Sequence, residues 1–476
     1  MVLQPGVSST WHTLGHAYYD FFSEWLTWSL DVVAMNHKDI RQTFQVSAFY
    51  KLFSDRLKIL GHALHTTLSQ HIVEPTRGPM KQASYLCLLQ AVALAPPGCR
   101  TVGSAYFTLG QLWSCAIGKP LCGAIFQPKG GRARLKKRPT NDLISRAGRQ
   151  KCIHFAAACF AKAIRLQADS THEPTAWHAH LCRAQLLRKD PAVSFRGVCD
   201  AYLSALALSP KSIPSVAANQ PERVLDVAYA LIAFLVKSLY HQTVALAEAN
   251  DVLQHVLAYY PAVTAVAATF EVAVANSEAM QQDDVEAGTG SETEAGAEAT
   301  AKMGWWRTVV ALLQHLKRLD ENKWHHKPQY RLAWIFHHVF HDDDQAHDEL
   351  QPFFNLRSSK NLVVIWRTML ERPGARYTYL YKYARLFLHI LAKRKDVESL
   401  YWFTKRVVSD DGDLLWQRDL VEEATQMLAT LLLVDAQAAT DAPSPRFADA
   451  AQWIASKIQT FTLEQFTKKI EAFAGN

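Results

Sequence analysis

Apolar residues recur at three- and four-residue steps along most of the chain, which is the spacing of one face of an α-helix. The pattern is densest between residues 324 and 408. There it predicts three helices, at residues 327–340, 361–370 and 377–392. Pro373 and Gly374 suit the two central positions of a tight turn, so a stiff corner is expected between the second and third helices. Further helices are predicted at residues 414–434, 446–460 and 463–473.

Short signatures typical of tetratricopeptide repeats occur in the first half of the chain. Trp11, Leu14, Gly15 and Tyr18 have the spacing of a first-helix signature. A second-helix signature, in which a large and a small apolar residue share a helix face, recurs at residues 88–96, 160–166 and 202–210. Trp177 opens another first helix before the last copy. The predicted fold class is all-α, a helical-hairpin solenoid of degenerate TPR-like repeats.

Two stretches of biased composition divide this array. The predicted organisation is TPR-like repeats at residues 1–126 and 151–276, a basic loop insertion at 127–150, an acidic disordered linker at 277–301 and a C-terminal helical module at 302–476. The loop carries six basic residues and is interpreted as a solvated insertion, a nuclear import signal or a nucleic-acid contact. These residues are Lys129, Arg132, Arg134, Lys136, Lys137 and Arg138. The linker is expected to be disordered because it is of low complexity and contains no aromatic residue.

The composition narrows the possible functions. Of the 476 residues 49% are hydrophobic and 20% are charged, which is enough for a large core. The formal net charge of +7 is mild, and it favours neither a direct grip on DNA nor one on basic histones. All eight cysteines lie in the first half without a CxxC pair, so buried free thiols are expected. The N-terminus lacks a signal-peptide pattern, and the apolar run at residues 224–236 is too short to cross a bilayer, so a soluble intracellular protein is expected.

The densest region also resembles a known family. Three runs carry the resemblance: "YRLAWIFHHVF" from Tyr330, "KNLVVIWRTMLERPGARYTYLYKYARLFLHIL" from Lys360, and "KDVESL" from Lys395. They are similar to the C-terminal part of the large scaffold subunit of the HIR histone chaperone complex. This family is called histone transcription regulator three in fungi and cabin in animals. A second stretch, residues 10–56, resembles a middle segment of the same family. The proteins of the family are much longer than this chain, so their N-terminal activities are not carried over.

The resemblance implies a non-catalytic scaffold in the nucleus. It implies a HIR-type complex that deposits histones H3 and H4 independently of replication and affects transcription, including that of histone genes. The implied partners are the WD-repeat HIR subunits and a ubinuclein-like subunit, with indirect contact to histones and chromatin and none to membrane. No catalytic residue, metal or cofactor is expected.

A partner-binding site is predicted around the "IWR" and "ERPG" runs. Arg367 and Arg372 either cap helix carbonyls or meet an acidic residue of a partner, since guanidinium groups suit both roles. The tyrosines that follow stand at alternate positions, which spreads them around a helix, so some should be exposed or covered by another surface. The candidate residues are Trp366, Arg367, Arg372, Pro373, Gly374, Tyr377, Tyr379 and Tyr381.

Two alternatives remain open. The histidines and aspartates between His325 and His347 could serve a metal-dependent all-helical enzyme, because His337 and His341 stand one turn apart. No HExxH motif accompanies them, and the aspartates after Phe340 suit a solvated helix end, so incidental clustering is the favoured interpretation. The second alternative is an unrelated TPR-type adaptor, which would differ only in its partners.

Overall fold

The computed structural model describes twelve stretches of the chain and is all-helical. They are residues 8–9, 12–17, 92–93, 100–117, 146–167, 176–210, 224–263, 292–320, 325–358, 361–365, 375–408 and 417–438. Their α-helices are α1 Arg100–Ile117, α2 Arg146–Gln167, α3 Ala176–Leu187, α4 Phe195–Leu208, α5 Leu225–Tyr240, α6 Leu246–Leu257, α7 Glu292–Leu319, α8 Lys327–Ile335, α9 Asp343–Leu350, α10 Ala375–Lys393, α11 Val397–Val408 and α12 Gln417–Ala438. A π-helical turn, Phe336–Phe340, follows α8, and a 3-10 turn, Gln351–Phe353, follows α9.

Each helix packs mainly against its neighbours along the chain. α1 packs on α2, α2 on α3 and α3 on α4, and the same order continues to α12. Further contacts join helices two or three places apart, such as α5 with α7 and α8. Local stacking of this kind is the signature of a helical-repeat array, because no single hairpin can bury its own apolar face. The predicted all-α solenoid is therefore confirmed.

The repeat signatures fall where the helices meet. Tyr202 and Ala205 on α4 are completely buried, as are Phe160 and Ala163 on α2. Trp177 stands at the start of α3 with 6% of its surface exposed. Large and small residues alternate at these contacts because a ring on one helix needs space on the next. The signature at residues 88–96 lies almost wholly outside the described residues.

Gly110 shows how tight one of these contacts is. A Cβ atom at this position of α1 would stand 2.8 Å from two atoms of the Phe160 ring on α2. Phe160 belongs to a small core cluster between α1, α2 and α3, whereas one larger cluster extends from Ala105 to Leu428. The absence of a side chain at Gly110 therefore allows α1 and α2 to pack this closely.

Three segments differ in secondary structure from the prediction. Residues 361–365 are extended rather than helical, and Phe354 and Val363 form an isolated antiparallel bridge there. This short run is rich in β-branched residues, which favour extended backbone. The predicted disordered linker is helical from Glu292 onward, because its last ten residues include several alanines. α2 begins at Arg146, so the end of the predicted basic loop is also helical.

The corner after α8 is built by backbone geometry that is rare in helices. Through the π-helical turn the backbone N–H groups of His341 and Asp342 both donate to the carbonyl of Phe336. His341 then adopts a left-handed conformation with φ 54°. The Asp342 side chain accepts from the backbone N–H of Gln345 and so caps α9. The aspartates that were predicted to end a helix therefore begin one.

The four cysteines whose side chains the structure describes are thiols and are at least partly buried. Cys152 and Cys199 are buried, and Cys159 and Cys182 are half-buried. Burial raises the pKa of Cys199 to about 12 and that of Cys159 to about 11, which keeps both as thiols. In the part of the chain that the structure describes, no helix has the length and apolar character needed to span a membrane.

Candidate protein-interaction site

A buried ion cluster joins α5, α7 and α8. His325, just before α8, lies 2.9 Å from the Asp226 carboxylate of α5 and 3.1 Å from that of Asp320, which follows α7. Burial by itself disfavours a charged imidazole, but hydrogen bonds and charges from both carboxylates outweigh it and raise the pKa of His325 to about 9. Burial likewise opposes ionisation of Asp226, yet His325 and Lys327 hold its pKa at about 2. His325 and Asp226 are thus both charged at neutral pH.

A second buried contact holds α8 against α10. Nδ1 of His326 lies 2.6 Å from the hydroxyl oxygen of Tyr383, and both residues are completely buried. The Tyr383 ring stacks on Tyr330 with a centroid distance of 4.4 Å. Together with the ion cluster, this contact fixes the relative position of α5, α8 and α10.

These three helices bring cations to one place. Lys237 of α5, Arg331 of α8 and Lys382 of α10, together with Arg188 just after α3, form what we call the cationic face. Lys237, Lys382 and Arg188 are exposed and Arg331 is half-buried. Desolvation by the surrounding helices and the charges of the other three residues lower the pKa of Lys237 to about 7. Desolvation is the larger cause of this shift in pKa, and the neighbouring cations add to it.

Aromatic rings lie between these cations. The Arg331 guanidinium is 5.6 Å from the centroid of the Trp334 ring and 6.0 Å from that of Tyr330. The Lys382 ammonium is 5.9 Å from the Tyr379 ring. These distances are within the range of cation–π attraction. The rings therefore stabilise the cations in place without neutralising them.

Two of these cations lie away from carboxylates. Among the described residues, neither Lys237 nor Arg331 has a carboxylate within ion-pair distance, and Nε of Arg331 is buried without a hydrogen-bond partner. Burial lowers the pKa of Arg331, as it does for any cation that is removed from water.

The predicted partner-binding residues are only partly placed. Trp366, Arg367, Arg372, Pro373 and Gly374 lie outside the described residues, as do the side chain of Tyr377 and the six basic residues of the loop. On α10 the Tyr379 ring is half-buried beside the cationic face, whereas Tyr381 is 5% exposed and belongs to the core. None of the three tyrosines whose side chains are described on α10 is exposed. Helices on several sides cover this part of α10.

The histidines that suggested a metal site are dispersed. His337 hydrogen-bonds Asp343, whereas His338 stacks on Trp334 and has its pKa lowered to about 4, chiefly by burial. His347 stacks on Phe387. Within the described ranges, no three histidine, cysteine, aspartate or glutamate side chains are grouped as metal ligands. The arrangement gives the metal-dependent alternative no support.

Sequence reasoning missed the cationic face and the ion cluster. Lys237 stands just after the apolar run at residues 224–236, and no sequence pattern singles out Asp226 or Arg331. A signal was available: each is a charged residue within an apolar helical pattern, and such residues often meet a partner. Their mutual proximity was not accessible, because α5, α8 and α10 are far apart in sequence.

The fold and this face define a TPR-type helical-repeat protein. A protein-family model described as the HIR3 TPR domain matches residues 198–433, from within α4 to within α12. Over these residues the chain is similar to the HIR3 family, in agreement with the resemblance seen in its sequence. The ion cluster and three of the four residues of the cationic face lie inside the matched range.

Curated relatives agree with this assignment. The chain is 41% identical over 97 residues to a histone transcription regulator 3 homolog of Eremothecium gossypii, which covers 20% of the chain and 6% of the relative. A protein with the same name in Schizosaccharomyces pombe is 36% identical over 99 residues, which cover 21% of the chain and 6% of the relative. Another in Kluyveromyces lactis is 23% identical over 207 residues, which cover 43% of the chain and 11% of the relative. The chain thus matches between 6% and 11% of the length of these relatives.

Proposed function

We propose that this chain is a non-catalytic scaffold within a HIR-type histone chaperone complex. In this role it holds the WD-repeat subunits and a ubinuclein-like subunit in register. The complex deposits histones H3 and H4 independently of replication and regulates transcription, including that of histone genes. The chain acts in the nucleus and meets histones and chromatin through the complex.

One observation carries the proposal: the HIR3 TPR domain match extends over nine of the described helices, from α4 to α12. Stacked helical hairpins present long surfaces to other chains, which is the usual work of such arrays. The buried cluster at His325 and the contact between His326 and Tyr383 support the same role, since they fix helices of different hairpins relative to one another. A fixed array is suited to holding several partners at defined positions.

Capture of WD-repeat subunits tests the proposal. The full 476-residue chain, immobilised through a tag, is incubated with purified WD-repeat HIR subunits and the bound fraction is measured. We expect binding by the native chain and loss of most of it in Trp366→Ala or in a double change of Pro373 and Gly374. These residues remain the predicted partner-binding site.

The matched control is Phe155→Ala on α2, an exposed aromatic outside the family match. It should leave capture unchanged. Absence of capture by the native chain would refute the scaffold role. Equal capture by native chain and both site variants would refute the placement of the site.

A further inference from the structure

Two histidines face one another on the helical turn at residues 12–17. His12 and His16 stand one turn apart, and their Nε2 atoms are separated by 3.0 Å. Both side chains are half-buried. They lie on the side of the turn opposite to Leu14, the buried residue of the repeat signature, because each residue advances a helix by about 100°. The pair is therefore additional to the packing that the repeat requires.

Helix α1 places two hydroxyl groups against the same pair. Oγ1 of Thr108 is 3.1 Å from Nε2 of His16, and Oγ of Ser104 is 3.3 Å from it. Thr108 is completely buried, so the packing of α1 holds its hydroxyl in place. Nε2 of His16 thus has three polar neighbours, although an imidazole nitrogen carries either one hydrogen or one lone pair. Hydrogen bonding to that nitrogen cannot satisfy all three neighbours at once, whereas a cation can attract every lone pair.

We propose that His12 and His16 chelate a divalent transition-metal ion through their Nε2 atoms. Bonds from such an ion to imidazole are about 2.1 Å long, and two of them at a right angle place the nitrogens about 3.0 Å apart. Two histidines four residues apart on one helix face are also a recurrent way of presenting imidazoles to a metal. The bound ion joins the N-terminal turn to α1, whose hydroxyls stand beside it.

The geometry favours ions with right-angled coordination. Tetragonal sites of nitrogen and oxygen ligands suit Ni²⁺ and Cu²⁺. A tetrahedral Zn²⁺ ion would need nitrogens about 3.4 Å apart, so one ring would have to move slightly. Among the described residues no third histidine, cysteine, aspartate or glutamate is grouped with the pair, so hydroxyl groups and water complete the coordination. Ca²⁺ and Mg²⁺ require oxygen ligands, and we expect neither to bind.

Nickel binding by the full chain tests the chelate. Equilibrium dialysis against dilute NiCl2 measures the nickel bound per chain. The native chain should bind one Ni²⁺ ion more than His12→Gln combined with His16→Gln. Each single variant should bind that ion at least about tenfold more weakly, since loss of even an outer-shell partner weakens metal sites by that factor.

The matched control removes two histidines elsewhere. It is His154→Gln combined with His255→Gln, two exposed positions on α2 and α6. This variant should keep the tightly bound Ni²⁺ ion. Replacing NiCl2 by CaCl2 should give no binding that depends on His12 and His16.

A second measurement uses the native chain alone, so it does not depend on the folding of a variant. Diethyl pyrocarbonate acylates accessible imidazole nitrogens, and mass spectrometry of the digested chain identifies the modified histidines. Ni²⁺ should protect His12 and His16 from the reagent. His154, which is exposed, should be modified with and without the ion.

Three results would overturn the inference. Equal nickel content in the native chain and the variant at positions 12 and 16 would indicate an adventitious ion only. An equal loss in the control variant would have the same meaning, as would modification of His12 and His16 that Ni²⁺ does not reduce. The pair lies outside the HIR3 match at residues 198–433, so none of these results bears on the proposed scaffold role.

Discussion

The ion cluster at His325 makes the stability of the array depend on pH. The perturbation is His325→Gln, which keeps a polar side chain but removes the titrating charge between Asp226 and Asp320. The pKa of His325 is about 9 in the folded chain and 6.5 when unperturbed. Because a pKa difference of one corresponds to about 1.4 kcal/mol, the native cluster contributes roughly 3–4 kcal/mol to the free energy of unfolding.

The sign follows from the raised pKa. The stabilisation is fully present below about pH 6.5, where the unfolded chain also binds the proton. It declines as the pH rises and is lost once the pH passes about 9. The difference in unfolding free energy between native chain and variant should therefore be largest near pH 6 and shrink by roughly 3–4 kcal/mol toward pH 10. The depressed pKa of Asp226 acts only at more acidic pH.

Urea unfolding followed by tryptophan fluorescence measures this difference, since 13 tryptophans report on the packing of the array. Curves are recorded for the native chain, His325→Gln and the control His255→Gln between about pH 6 and pH 10. His255 is an exposed histidine on α6 and should not change the pH profile. If the difference in free energy of unfolding between the native chain and His325→Gln is the same at every pH, the imidazole is not protonated within an ion pair and the prediction is refuted.

Two further predictions concern packing and hydrogen bonding. Gly110→Ala should lower the free energy of unfolding by about 1–2 kcal/mol, because overlap of its Cβ with the buried Phe160 ring outweighs the gain in helix propensity. Gly304→Ala, with nothing within 4 Å of its added Cβ, should raise the free energy of unfolding by about 0.5–1 kcal/mol, and urea unfolding compares the two variants. Tyr383→Phe should lower the free energy of unfolding by about 1–3 kcal/mol in the same assay, since it removes the hydroxyl that hydrogen-bonds the buried His326 side chain.

Local patterns in the sequence predicted the fold well where they coincide with contacts between neighbouring helices. Tyr202 and Ala205 are completely buried on α4, as the repeat signature required. The helix predicted at residues 361–370 is not formed at residues 361–365, because a short apolar run fits a buried strand or a helix equally well. The first residues of α7 were expected to be disordered because their sequence is of low complexity. They are helical, since alanine is the best helix former.

The candidate site could be predicted only in part. Tyr379 was selected from its position in the resemblance, and it does lie beside the cationic face. Lys237 and Arg331 were not selected, since periodicity assigns a residue to a face of its own helix but does not say which other helices that face meets. The left-handed residues Gln242, His341 and Lys395 were equally invisible, because glycine is the usual signal for such a turn.

The π-helical turn at Phe336–Phe340 has a consequence for insertions and deletions. Such a turn contains one residue more than an α-helix of the same height, so every side chain after it is rotated by about 100° relative to an unbroken helix. Removing one residue there would restore regular α-helical geometry and turn a different side of α9 toward α10. A one-residue length change would therefore alter the corner more than most substitutions could.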